Sequence, residues 1–220
     1  MRTSFLGIFV VALVTVGAAR PLHAEPAVAA TPTEFVQQTH EELMALINKG
    51  ASNEQLSTVL RAKVNFEAVV ERSFGNPCST EVRKCVNRWE SMKPAQRTKL
   101  KDLLIRLISR NYERNLRKTV GYDIKYGKVV PVGSESRVKT TASRAANELD
   151  GGVTRREAPI SIDYLVNGAA PKYQIVDIYT EGSSLTKNWF QQFNADFANA
   201  KSVDAAVDKI DKQLTNQLKK

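Results

Sequence analysis

The sequence has few of the side chains on which catalytic and metal sites usually depend. Its 220 residues include only two histidines and two cysteines, and aromatic residues make up 7% of the chain. It contains no glycine-rich phosphate loop, no GxSxG elbow and no HExxH helix. These absences argue against a nucleotide-dependent enzyme, an α/β-hydrolase and a zinc protease.

The two histidines do not suggest a catalytic or metal site. His23 falls in an apolar N-terminal segment, and His40 lies on a predicted helix beside Glu41 and Glu42. We expect His40 to be a solvated helical side chain, because no partner of a catalytic base stands near it in the sequence. The sequence therefore predicts no catalytic residue, no metal site and no cofactor.

The chain carries an excess of positive charge, with a formal net charge of +9. An excess of positive charge first suggests that a protein binds nucleic acid. The sequence, however, has no zinc pattern, no RNP-like run and no long basic helix. Its basic residues are spread along the chain, so we expect no nucleic-acid binding. Acidic lipid head groups, an anionic face of a partner protein and simple solvation of a basic surface remain as interpretations.

The N-terminus has the pattern of a secretory signal peptide. A short basic start is followed by an apolar run over residues 5–19 and then by small residues. We predict a signal peptide over residues 1–24 with cleavage after Ala24, or alternatively after Ala29, and a linker over residues 25–30. No later segment is apolar enough to span a bilayer, so we expect residues 31–220 to form one soluble, exported domain.

Cys78 and Cys85 are the only cysteines, and we predict that they form a disulfide because the chain is exported. Two free thiols are the alternative, and no His or acidic cluster accompanies the pair to suggest a metal. In one continuous helix, residues seven apart lie about 10.5 Å from each other. A disulfide requires Cα atoms within about 7 Å, so the segment must contain a turn or break.

The remaining pattern changes from helices to strands and back, which predicts an α+β fold with an antiparallel sheet. Capping signals and helical periodicity predict helices beginning near Thr31, Ser52, Asn65, Pro94, Leu185 and Ser202. Alternating or β-branched runs separated by glycines predict strands over residues 120–126, 128–132, 136–143, 158–167 and 173–180.

Residues 173–193 join a strand to an aromatic helix. The strand ends at a break containing Gly182, and Ser183 or Ser184 can cap the helix that follows. The helix then folds back over a sheet whose neighbouring strand, at residues 160–166, has one apolar face. Together with the apolar stripe of the long helix from Pro94, this arrangement can enclose an apolar space.

Three segments resemble the MlaC family, also called the toluene-tolerance family. The most specific is the run Asp177-x-x-x-Glu181-Gly182-x-Ser184-Leu185-x-x-Asn188-aromatic-x-x-Gln192-Phe193. The other two are Asn65-Phe66-x-x-Val69-Val70-x-Arg72-x-Phe74-Gly75, and Pro94-x-Gln96-Arg97 before the long helix. The likeness covers nearly all of the chain after about residue 31. The sequence departs from the family pattern at Phe190, where the family usually has Arg, at Ser183, and in the added cysteine pair.

The resemblance implies a periplasmic phospholipid carrier of the Mla lipid-transport pathway, with a twisted antiparallel sheet wrapped by helices around an apolar pocket. It also implies two partners, which are an inner-membrane ABC transporter complex with a lipid-binding ring protein and an outer-membrane lipoprotein–porin complex. The ligand would be phospholipid, and no chemical step is expected. The candidate wall residues are Leu104, Ile108, Tyr112, Leu116, Ile162, Tyr164, Val166, Ile175, Ile178, Leu185, Trp189 and Phe193.

Two hypotheses from other classes remain. The first is a small-molecule enzyme of a cone-like α+β fold that uses Asp163 or Asp177, and the second is a structural interaction module of the cell envelope. The resemblance favours a structural role for Asp177 and Glu181 at the strand-to-helix turn. An apolar pocket without an inward carboxylate would argue against the enzyme, and a solid core would argue against the carrier.

Overall fold

The computed structural model describes residues 28–79, 82–118, 120–144, 147–149, 153–155 and 158–219. The predicted signal peptide over residues 1–24 lies outside these ranges, as does the first half of the predicted linker, residues 25–27. The described residues form six helices and a five-stranded antiparallel sheet beside a small two-stranded sheet. This confirms the predicted α+β fold. No helix among the described residues combines the length and the apolar composition needed to cross a bilayer.

The helices begin close to the predicted caps. Thr31 and Ser52 each form a capping box, in which the side chain accepts a hydrogen bond from the third helical amide and that residue's side chain accepts one in return. Ser184, rather than Ser183, caps the aromatic helix. The helices are α1 (Pro32–Asn48), α2 (Asn53–Lys63), α3 (Phe66–Ser73), α4 (Pro94–Lys118), α5 (Leu185–Asn199) and α6 (Val203–Leu218).

The large sheet has the strand order β1-β2-β5-β6-β7, and every neighbouring pair is antiparallel. Residues 120–126 and 128–132 do not form separate strands as predicted, because β1 continues through Gly127 with an irregular register between Tyr126 and Val129. The strands are β1 (Tyr122–Val132), β2 (Glu135–Arg144), β3 (Asn147–Leu149), β4 (Val153–Arg155), β5 (Ile160–Asn167), β6 (Gln174–Thr180) and β7 (Ser183–Ser184).

One face of the sheet packs against the helices and holds the main core. Val138, Tyr164 and Ile178 lie side by side on this inner face in neighbouring strands. The core is continued by buried side chains of the helices, which include Leu104 of α4 and Phe193 of α5. The inner face therefore meets α1, α4 and α5, and these elements can enclose space between them.

The opposite, outer face of the sheet carries a smaller apolar cluster of Leu165, Val176 and Tyr179. Arg137 lies over the ring of Tyr179, with its guanidinium carbon 3.8 Å from the ring centroid. It also forms an ion pair with Asp163 at 2.8 Å. Alternation along β5 thus places Asp163 on the outer face, away from the neighbouring Ile162 and Tyr164.

Cys78 and Cys85 form a disulfide, with a Cα–Cα distance of 5.7 Å. The described part of the segment between them contains a turn, as the sequence required. The loop packs tightly at Gly75, whose φ is +81° and where a Cβ atom would lie 2.6 Å from the carbonyl oxygen of Val86. Both the backbone conformation and the close approach therefore require glycine at this position.

Removing the disulfide is expected to lower the free energy of unfolding by about 2.5 kcal/mol, because the cross-link restricts the unfolded chain. Urea denaturation of wild-type protein and of a Cys78→Ser/Cys85→Ser double variant, each with and without reductant, measures this difference. Reductant should destabilise the wild type and leave the double variant unchanged. Two alkylatable thiols in intact-mass measurement of exported, unreduced protein would contradict the prediction.

Candidate functional site

A cavity of about 530 Å³ lies between the inner face of the sheet, the C-terminal half of α4 and the start of α5. Most of its wall is apolar, and the described residues that line it include no Asp, Glu, Lys or Arg. Polar groups in the wall are amides, hydroxyls and phenols. The lining residues are Ile108, Asn111, Tyr112, Tyr122, Ala142, Ile160, Ile162, Tyr164, Ile178, Thr180, Ser183, Leu185, Asn188 and Trp189.

The cavity has a closed end and an open end. Ile108 and Tyr164, each 6% exposed, lie at the closed end against the main core. At the other end, Ile160 is 36% exposed, and Thr180 and Asn188 are exposed as well. A long apolar ligand would therefore enter past Ile160 with its apolar end towards Tyr164, because that orientation removes the most apolar surface from water.

Seven of the twelve predicted wall residues line this cavity. Four others lie in the main core instead, and the side chain of Leu116 is outside the described set. The seven that line the cavity are Ile108, Tyr112, Ile162, Tyr164, Ile178, Leu185 and Trp189. The four in the core are Leu104, Val166, Ile175 and Phe193. Whether a bound ligand reaches the core residues stays a prediction.

Sequence reasoning missed part of the wall. Ala142 and Ile160 face each other across the β2–β5 pair and both line the cavity. Tyr122, at the start of β1, lines it as well. The alternation of apolar residues in β5 already placed Ile160 on the same face as Ile162. Ala142 has no comparable signal, because only the strand register shows which side chain faces Ile160.

An aromatic column connects the cavity wall to the disulfide loop. The ring of Trp189 stacks on Phe193 with centroids 5.3 Å apart, and Phe193 stacks on Phe74 at 4.6 Å. The ring of Phe74 in turn lies 5.8 Å from that of Trp89, on the segment that follows the loop. Phe193 therefore supports Trp189 from within the core.

A buried carboxylate fixes the start of α5. Asp177 accepts hydrogen bonds from the hydroxyl of Ser184 at 2.6 Å and from the amide and hydroxyl of Thr186 at 3.1 and 2.9 Å. Burial raises the pKa of Asp177 above its ordinary value, while these hydrogen bonds oppose that shift. Glu181 accepts a hydrogen bond from the amide of Ser161 at 2.6 Å and so ties the same turn to β5.

Neither acid of the enzyme hypothesis lines the large cavity. Asp163 is paired with Arg137 on the outer face, and Asp177 borders a different, smaller cavity of about 220 Å³. That smaller cavity also includes Phe190 and the cysteine pair in its wall. Two departures from the family pattern, the phenylalanine and the added disulfide, therefore meet on the outer side of the sheet.

His40 is not the solvated side chain that the sequence predicted. It is 6% exposed, and its Nδ1 lies 2.9 Å from the hydroxyl of Tyr126 while its Nε2 lies 2.7 Å from that of Tyr164. The phenol of Tyr112 lies close to that of Tyr164. Desolvation lowers the pKa of His40 to about 4, so the ring is neutral near pH 7. The prediction was wrong because sequence spacing cannot show that two distant strands cover this helix position.

The family model described as MlaC protein matches residues 37–212. The fold is similar to the solved structure of a phospholipid-binding protein from Ralstonia solanacearum in complex with a phospholipid. The TM-score is 0.63 at 16% identity, covering 84% of this chain and 98% of that one. No curated protein sequence matches the chain.

Proposed function

The chain belongs to the MlaC family, and from that premise we propose that it is a soluble periplasmic carrier that binds the acyl chains of a phospholipid in the large cavity. The observation that carries the proposal is the apolar wall of the cavity, which closes at Tyr164 and opens past Ile160. A phospholipid is also the ligand of the Ralstonia protein of similar fold. The carrier would have no catalytic step and no cofactor.

The physical basis of carriage is the removal of acyl chains from water. Each methylene group that is exposed during transfer costs about 0.8 kcal/mol, and an apolar wall removes that cost. The described part of the wall offers no partner for a charged ligand, because none of the residues that line it there is an Asp, Glu, Lys or Arg. A cavity of this composition favours an acyl chain over a polar metabolite, and no observation favours the enzyme hypothesis.

The head group would remain at the open end. Tyr122 lines the cavity, and the guanidinium carbon of the exposed Arg144 lies 5.7 Å from its ring centroid. This contact places a basic group at the rim beside the predicted path of entry. A phosphate held there would stay hydrated while pairing with the guanidinium group, since neither group has to enter the apolar interior.

The wider role follows the family resemblance. We propose that lipid passes between an inner-membrane ABC transporter complex with its lipid-binding ring protein and an outer-membrane lipoprotein–porin complex. In this scheme residues 1–24 are a signal peptide, residues 25–30 a linker and residues 31–220 the lipid-binding domain. The excess positive charge of the chain is compatible with anionic lipid surfaces at both of these membrane complexes.

The mature protein is expected to purify with phospholipid bound, because many buried methylenes make release into water slow. Native mass spectrometry, beside lipid analysis of the denatured protein, measures the bound lipid. Delipidated protein should take up phosphatidylglycerol from vesicles in the presence of a chelator, since the proposed site requires no divalent metal. Absence of lipid in the native sample, together with no uptake from vesicles, would refute the carrier.

A further inference from the structure

Two phenols and one imidazole form a continuous hydrogen-bonded chain at the closed end of the cavity, and a third phenol lies beside it. His40 is hydrogen-bonded to Tyr126 on one side and to Tyr164 on the other, and the phenol of Tyr164 lies close to that of Tyr112. The last two line the cavity, whereas His40 and Tyr126 do not. His40 therefore contacts the cavity wall from behind, on the side of α1.

The chain satisfies polar atoms that would otherwise be costly in this position. A neutral imidazole has one donor and one acceptor, so it can be hydrogen-bonded to both phenols at once. A buried hydroxyl without a partner is unfavourable by about 1–3 kcal/mol. The hydroxyl of Tyr164 at the closed end is hydrogen-bonded to His40, so it needs no polar group from a ligand.

Packing reinforces the hydrogen bonds. The rings of His40 and Tyr164 meet edge to face with centroids 5.0 Å apart, and Tyr164 is 6% exposed. Neighbouring strands hold Val138 and Ile178 on either side of Tyr164. The tyrosine ring is thus fixed laterally by the sheet and from behind by the imidazole.

We infer that His40 is a positioning residue that sets the depth of the cavity, and thereby the length of acyl chain that the protein accepts, by holding Tyr164, next to Tyr112, across the closed end. This inference rests on the proposed function. The wall at the end of the cavity is built from these two side chains, of which Tyr164 is hydrogen-bonded to His40, and the imidazole occupies the space into which Tyr164 would otherwise turn. Without the ring, the cavity extends towards α1.

The test compares uptake from vesicles that contain dimyristoleoyl, dipalmitoleoyl, dioleoyl and dieicosenoyl phosphatidylglycerol in equal amounts. Native mass spectrometry gives the chain-length distribution of lipid bound to each delipidated variant. His40→Ala should shift the distribution towards longer chains by about fourfold for each methylene that becomes buried. Tyr164→Phe, which keeps the ring but removes its hydroxyl, should shift it in the same direction by a smaller factor.

Two variants separate positioning from a general loss of structure. His40→Gln supplies an amide that both donates and accepts, so it should restore a distribution closer to that of the wild type. Gln37→Ala changes an exposed position one turn earlier on α1 and should leave the distribution unchanged. A general loss of stability would not rank the shifts in chain length in this way, largest in His40→Ala, smaller in Tyr164→Phe and His40→Gln, and absent in Gln37→Ala.

The inference is overturned if folded His40→Ala and Tyr164→Phe both bind the wild-type distribution of chain lengths. Should His40→Ala fail to fold, the wild-type distribution in folded Tyr164→Phe alone overturns it. Wild-type protein that binds no lipid of any length would refute the proposed function itself. Wild-type protein that binds lipid while its variants show no shift in chain length would refute only the role of His40.

Discussion

Ile162→Asp is expected to abolish uptake of phospholipid from vesicles. Ile162 lines the cavity on β5, directly beside Tyr164 along the inner face and opposite Thr180 in β6. An aspartate there would place a charge against acyl methylenes, and none of the described lining residues is basic and able to pair with it. We expect a loss of about 3 kcal/mol or more in lipid binding, which is over a hundredfold in affinity.

Thr141→Asp is the matched control for this substitution. Thr141 is exposed on β2, between inward-facing Thr140 and Ala142, so its side chain points to the opposite face of the sheet. The Thr141→Asp substitution introduces the same charge at the same level of the sheet but outside the cavity. This variant should therefore retain lipid uptake. Equal uptake by folded Ile162→Asp and the control would place the lipid elsewhere. Circular dichroism shows whether each variant is folded.

Acid is expected to destabilise the protein through His40. Its pKa is lowered from 6.5 to about 4 by desolvation, so the folded state favours the neutral ring while the unfolded state takes up a proton. The stability contributed by His40 is complete above pH 6.5, falls as the pH drops towards 4 and changes no further below that. A shift of this size corresponds to about 3 kcal/mol.

His40→Gln supplies the comparison, because glutamine does not titrate. The difference in free energy of unfolding between wild type and variant should be constant above pH 7 and should decrease between pH 6.5 and 4. Asp177 acts in the opposite sense, since its raised pKa favours the folded state on acidification, but it is present in both proteins and cancels. A difference that does not change with pH would show that His40 remains free to ionise in the fold.

Sequence patterns predicted most of the helices and strands because the signals are local. Capping boxes at Thr31 and Ser52, helical periodicity from Pro94 and alternation in residues 160–166 each act within a few neighbouring residues. The single long β1 strand was missed for the same reason. Gly127 weakens a strand locally, but pairing with β2 continues past it and decides the outcome.

The sequence by itself determined the fold class, the cysteine pair as a disulfide candidate and the family to which the chain belongs. Tertiary structure decided which apolar residues face the cavity and which lie in the core, as with Trp189 and its stacked neighbour Phe193. It also decided that His40 is buried between Tyr126 and Tyr164. Hydrophobicity and helical spacing are the same for a core residue and for a wall residue, because both are removed from water. Only contacts between residues distant along the chain distinguish the two, and those contacts exist only once the sheet and helices have packed.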